Sequence, residues 1–420
     1  MLNRKNIGES GAKIKARFSS KDKRVGIYVH TPFCASKCAY RNFYSVAGSD
    51  GLMPSYQSAV LKHIEEYSPQ LEGYRIDTVY FGGGTPNYYG VDRLVNILNA
   101  LKKHGRVISG AEVTAEINPG SIVKDDLKVL RRAGFNRLSI GVQCADDKIL
   151  KRLGRAHTFA DAEETVKNAR QAGFDNISVD IIYGLPSQKN ESWVETVERT
   201  AAFGVEHISC YGLKLEEGTP LYSSRDSLFI PDDDVQADMY ISAVEMLARF
   251  GYILYEVSNF ARQGFESKHN MKYWIRDEYI GIGPGAHSYI GGCRYSFIED
   301  VREYIDRVMQ GQEVVDYKEV MSDFENAGEY LMLRLRTANG ISEEEYYRLH
   351  RQKMDLVLEL LQKYELNGWV LHKNDRWAFT PTGFMLSNTL IGEVLDAQRK
   401  QHWAERENSY SFFRRNRDEK

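Results

Sequence analysis

From Val25 onward, short runs of β-branched and aromatic residues alternate with segments whose apolar positions return every three or four residues. The runs at 25–31, 77–82, 112–117, 137–142, 177–183 and 207–213 have strand length and composition. Between them, Tyr56, Val60, Ile64 and Tyr67, then Leu94, Ile97, Leu98 and Leu101, each form one face of a helix. A succession of strand-then-helix units predicts parallel strands joined by right-handed crossovers, so the chain reads as α/β, a barrel or an open parallel sheet spanning 25–230. A helix over 232–250 and a strand-and-turn from Gly251 to Ala261 begin an extension that runs to about residue 318. The pattern then changes: apolar helices at 324–336, 342–350 and 353–365 precede a hairpin from Trp369 to Phe379. A closing segment starts at Thr380. Residues 319–396 therefore read as an α+β, winged-helix-like C-terminal domain, flanked by a basic tail at 1–24 and a charged tail at 397–420.

With 420 residues, 42% of them hydrophobic, the chain can bury a large core. Its net charge of -3 leaves no whole-chain electrostatic footprint for nucleic acid or an acidic membrane. The winged segment shows no concentrated basic recognition helix, which favours a lid or docking surface over DNA binding. Five irregularly spaced cysteines argue against a disulfide framework and for a reducing, cytoplasmic setting. No run of 18 apolar residues is present. The first 24 residues are basic without an apolar core, as in a solvated tail or an organellar transit segment.

Unusual polar and glycine residues fall at the C-terminal ends of the predicted strands, the rim where ligands sit on a parallel barrel. They are Gly82-Gly83-Gly84-Thr85-Pro86, Glu116, Gly141-Val142-Gln143, Leu153-Gly154-Arg155-Ala156-His157, Asp180 and Tyr211-Gly212. Adjacent glycines let a backbone approach a ligand and expose its amides, although a tight turn without a ligand uses them too. Ahead of these blocks, Cys34 and Cys38 follow an apolar β-type run. Such a pair fits either a metal loop or two ordinary buried thiols.

The segment Tyr28 to Ser45 resembles the radical SAM fingerprint Cys-x3-Cys-x2-Cys, in the form used by oxygen-independent coproporphyrinogen oxidases and HemW-type heme chaperones. The resemblance covers about residues 25 to 395 and implies a partial (β/α)6 barrel. It implies three cysteines on a 4Fe–4S cluster and S-adenosylmethionine on the open iron. It also carries over Tyr28, Tyr40, Gly83, Gly84, Thr85, Glu116, Gln143, Arg155, Asp180 and Gly212 as S-adenosylmethionine contacts. His269, Asn270 and Tyr273 match a His-Asn-x-x-Tyr block associated with heme or porphyrin, where an exposed imidazole could ligate heme iron.

Two departures matter. Arg41 stands where the third cluster cysteine is required, and a guanidinium has no lone pair to give. With Cys34 and Cys38 alone, the site has lost its cluster, or holds a weak one completed by another group, or carries a substituted residue; Cys144, Cys210 and Cys293 are the other thiols. Phe43 occupies the place of the oxidases' fourth cysteine, as in HemW-type chaperones, which weighs against classical coproporphyrinogen oxidase activity. The resemblance thus implies a cytoplasmic chaperone that binds heme and passes it to an acceptor protein, membrane-associated acceptors included. The alternatives are a radical SAM oxidoreductase acting on a tetrapyrrole, and a cluster-free relative that only docks to a partner.

Overall fold

The computed structural model of the chain describes residues 23–40 and 43–418, with side chains described as far as residue 406. Arg41, Asn42 and nearly all of the basic N-terminal tail lie outside the described residues. Six parallel strands carry the architecture: β1 (Lys23–Thr31), β2 (Tyr74–Gly83), β3 (Val107–Ile117), β4 (Arg137–Gln143), β5 (Ile177–Tyr183) and β6 (His207–Gly212). They lie side by side in sequence order. Helices over Met53–Tyr67, Val91–His104, Lys124–Ala133, Phe159–Gln171 and Asn190–Ala201 connect them.

The two faces of these strands differ in chemistry. Val79 and Phe81, Val113 and Ala115, Leu138 and Ile140, and Val179 and Ile181 are buried in the main hydrophobic core. The alternate positions carry Thr78 and Tyr80, Thr114 and Glu116, Arg137 and Ser139, Ser178 and Asp180, and His207 and Ser209. Because side chains alternate along a strand, one face packs on the helices and the other lines a polar hollow. An ordinary packed barrel would fill that hollow with branched apolar residues.

The sheet is wider than the six strands the sequence predicts. The expected strand and turn at 251–261 is a hairpin, β7 (Ile253–Glu256) and β8 (Asn259–Ala261), with β8 antiparallel to β6. On the opposite flank β9 (Tyr279–Ile282) pairs parallel to β1. Then β10 (His287–Ile290), β11 (Cys293–Phe297) and β12 (Val315–Val320) extend it antiparallel. Among the described residues this makes one open sheet of twelve strands, from β12 to β7.

The C-terminal region has its own core around Leu331, Ile341, Leu361 and Ile391. Its helices Asp323–Arg334, Glu343–His350 and Asp355–Leu366 are followed by the hairpin β13 (Val370–Lys373) and β14 (Arg376–Phe379). Asn374 and Asp375 both take positive φ, at 51° and 60°, as a two-residue hairpin turn that follows strand twist requires. The last helix, Ser387–Asp418, runs straight across residue 396, where the sequence predicts a charged tail to begin. Leu390, Ile391 and Val394 anchor its first turns in the C-terminal core, and the helix continues from that anchor. Among the described residues no helix is long and apolar enough to cross a membrane.

Candidate functional site

The polar hollow opens at the carboxyl ends of the strands as a cavity of about 490 Å³. That is within the roughly 300–1,000 Å³ of small-molecule sites. Tyr40, Glu116, Gln143, Asp180 and Gly212, five of the predicted S-adenosylmethionine contacts, line it, together with Asn270. A smaller cleft beside it is walled by Gly84 and Thr85 and again by Glu116 and Asp180.

The glycine block is fixed by close packing. A Cβ on Gly82 would stand 2.9 Å from Glu116 Oε1, and one on Gly83, whose φ is +110°, would strike the His30 ring at 2.6 Å. At Gly84 a Cβ would meet Phe33 O at 2.7 Å, because its amide bonds Thr31 O and the Thr85 amide bonds Phe33 O. The glycines therefore splice the end of β2 onto the backbone that leads into Cys34. His30 beneath them is buried and its pKa is lowered to about 4 by loss of water, although one ring nitrogen pairs with Tyr44 O.

Gln143 is the most constrained of the predicted contacts. It ends β4 with φ +70° at a register shift against β5, and it is buried, yet its amide Nε2 has no hydrogen-bond partner among the described residues. Non-glycine residues avoid that conformation, and a buried donor without an acceptor is costly, so Gln143 is held at a conformational and a desolvation cost. Glu116 accepts from Tyr80 Oη at 3.0 Å and Asp180 from Ser139 Oγ at 3.1 Å. Tyr28 stands one strand over, with its ring stacked 6.3 Å from that of Tyr80.

Arg155 sits where the rim meets the cysteine loop. Its guanidinium donates to Asn118 Oδ1 at 2.8 Å and Gly141 O at 3.0 Å, and reaches Cys38 Sγ at 3.8 Å. Asn118 also donates to Thr85 Oγ1, which donates to Cys34 Sγ at 3.5 Å. Each cysteine of the Cys34–Cys38 pair thus has a polar donor aimed at its sulfur.

A third ligand is another matter. Among the described residues no group of three or more His, Cys, Asp or Glu side chains is placed to hold a metal ion. Cys144 is turned into its own loop, where the Asp146 amide bonds its sulfur and burial raises its pKa. Cys210 is buried on the apolar side of β6 and held neutral in the same way. Cys293 belongs to β11, three strands beyond β1.

The expectation of an exposed imidazole at His269 is corrected. His269 is buried, Nδ1 pairs with Thr78 Oγ1 and Nε2 with Tyr273 Oη, both at 2.8 Å, and its ring stacks on Tyr80. Burial, aided by Lys272 and Arg137, lowers its pKa to about 3. His269 and Tyr273 are the wall behind Tyr80, and of the three residues only Asn270 faces the cavity. Arg137, Ser139 and Ser209, outside the predicted contacts, also line it. Their signal was strand parity: Arg137 and Ser139 share the face of Gln143's strand that Gly141 occupies.

Residues 28–200 match the model of the radical SAM superfamily. The heme chaperone HemW of Lactococcus lactis is 34% identical over 375 residues, which span 88% of this chain and 96% of that protein. The chain belongs to the HemW family. HemW of Bacillus subtilis is 31% identical over 88% of the chain and 98% of its own length. The solved structure of coproporphyrinogen III oxidase (HemN) from Escherichia coli, 21% identical, superposes over 90% of each chain with a TM-score of 0.78. The HemW-family chain therefore shares the HemN fold, the open parallel-rich sheet included.

Proposed function

We propose that the protein is a heme chaperone that binds heme in the barrel hollow and hands it to an acceptor protein, on a scaffold that keeps an S-adenosylmethionine site. The observation that carries this is a convergence in one cavity. Asn270, from the segment tied by resemblance to heme, shares it with Glu116, Gln143 and Asp180, tied by resemblance to the nucleoside.

The residues fit S-adenosylmethionine. Gln143 offers a buried donor without a partner among the described residues, the glycine block a backbone cradle, and Glu116 and Asp180 acceptor groups for amino and hydroxyl donors. When bound, the group would supply a nucleoside and an amino-acid end for these contacts. The residues do not fit a three-cysteine cluster. Cys34 and Cys38 are paired with suitable donors, but Arg41 cannot ligate iron and the described residues supply no third donor. The oxidoreductase reading, which needs a complete cluster, is correspondingly disfavoured.

For heme, Tyr211 offers a flat apolar face along the hollow and Phe43 another at its mouth. The C-terminal module, with its hairpin at one end, is the surface we assign to the acceptor. Titration of the purified chain with hemin tests the proposal. A saturable shift of the Soret band that weakens in Asn270→Leu is expected, and a flat titration of the parent chain would overturn it.

A further inference from the structure

Arg137 is 1% exposed, yet it stands at the bottom of the cavity as part of its lining. Its Nε has no hydrogen-bond partner, and its guanidinium takes part in no hydrogen bond or ion pair among the described residues. A buried cation left in that state is rare, because loss of water is repaid only by an anion or by acceptors for its fixed fork of donors. The carboxylates of Glu116 and Asp180 line the same cavity, but neither makes an ion pair with Arg137. The two flanking imidazoles are spent: His207 pairs with Ser178 Oγ at 2.7 Å and Tyr255 Oη at 2.8 Å, and His269 with Thr78 and Tyr273. In the strand register Arg137 lies level with Thr114, one layer below the Glu116–Ser139 pair. The floor of the hollow is therefore cationic beneath a belt that carries carboxylates.

We infer that Arg137 is the receptor for a carboxylate of the ligand that fills the hollow, a planar fork suited to bidentate capture of such a group. The site is distinct from Arg155, which lies at the rim with its own acceptors. Two sources can bring a carboxylate here: a propionate of a tetrapyrrole or the amino-acid end of S-adenosylmethionine. The tetrapyrrole source rests on the function proposed above; the carboxylate receptor itself does not.

The test compares each ligand with a partner that lacks the charge. Hemin is titrated against hemin whose propionates are amidated, and S-adenosylmethionine against its decarboxylated analogue. The parent chain, Arg137→Met and Arg137→Lys are used throughout. The parent should prefer the acid of one pair by roughly tenfold to a hundredfold, the loss expected when a charge-assisted hydrogen bond goes. Arg137→Met should lose that preference and Arg137→Lys keep part of it.

Without ligand, Arg137→Met should melt no lower than the parent, because it removes an uncompensated buried charge, whereas a purely structural arginine would lower the melting temperature. If the methionine variant does not fold, the parent's acid-against-neutral comparison still decides. Equal binding within both pairs overturns the inference, as does an unchanged preference in a folded Arg137→Met. Preference confined to the S-adenosylmethionine pair, with no hemin binding, keeps the receptor and removes the heme reading. Binding of neither acid removes both.

Discussion

Two parts of one rim, built from neighbouring residues, have been furnished to different degrees. On the side formed by β2 to β5, a glutamine held at positive φ and two oriented carboxylates line one hollow, and Gly84, without room for a Cβ, walls the cleft beside it. On the side of the cysteine loop, Cys34 and Cys38 have donors directed at their sulfurs, but no third ligand joins them among the described residues. The bridge between the two sides, Thr85 to Asn118 to Arg155, is intact. On the function proposed above, the difference teaches that the organic part of a cofactor site and its metal cage are separable. The first depends on strand register and backbone shape, the second on a few side chains in one loop.

The sharpest way to break the comparison is to damage what both sides share. In Gly84→Ala the new Cβ meets backbone of Thr31, Pro32 and Phe33 at 2.7–2.9 Å, which cannot swing aside as a side chain would. A loss of about 2–3 kcal/mol in denaturant unfolding is expected, with ligand binding and thiol geometry lost together. A smaller effect is expected behind the hollow. His269→Gln breaks the Thr78 and Tyr273 pairings and should cost about 1–3 kcal/mol near neutral pH.

The same histidine gives a pH signature. Its folded pKa, about 3, lies below the ordinary value of 6.5, so only the unfolded chain takes up a proton as pH falls from 6.5. Stability from the neutral imidazole is complete above pH 6.5 and is lost as pH drops toward 3. The parent's stability should therefore fall more steeply with acid than that of His269→Gln, by up to about 1.4 kcal/mol per pH unit, measured by unfolding between pH 7 and pH 4. Parallel pH curves would return His269 to the list of accessible groups. The smallest effect is expected at Gln143→Asn. Asparagine tolerates positive φ, so stability should move by less than about 0.5 kcal/mol, while the shortened amide should weaken S-adenosylmethionine roughly three- to tenfold, read by calorimetry. A large stability loss instead would make Gln143 a structural residue and blur the contrast between the two sides.

The parts visible in the sequence were those encoded by local periodicity. The runs at 137–142 and 177–183 are buried strands because one face alternates branched apolar residues, and Asn374-Asp375 marks a hairpin by its backbone preference. The strands β9 to β12 are less legible because Gly281 sits inside the first and Gly283, Gly285, Gly291 and Gly292 between them read as loop. Burial was the other blind spot. The motif His269-Asn270-Met271-Lys272-Tyr273 does not say which way its helix faces, and Glu112 decides that by capping the amides of Lys268 and His269. Arg137 escaped notice because a charged residue at the start of a strand ordinarily reaches solvent, and only the assembled sheet closes over it.

The claim that the organic half of the site is complete while the cage lacks one donor is tested most directly by side-by-side anaerobic reconstitution of the parent and Arg41→Cys, with iron and sulfide counted per chain. The account predicts a full cluster's iron in the variant and background iron in the parent. Equal iron in the two would contradict it, because another group would then already complete the cage.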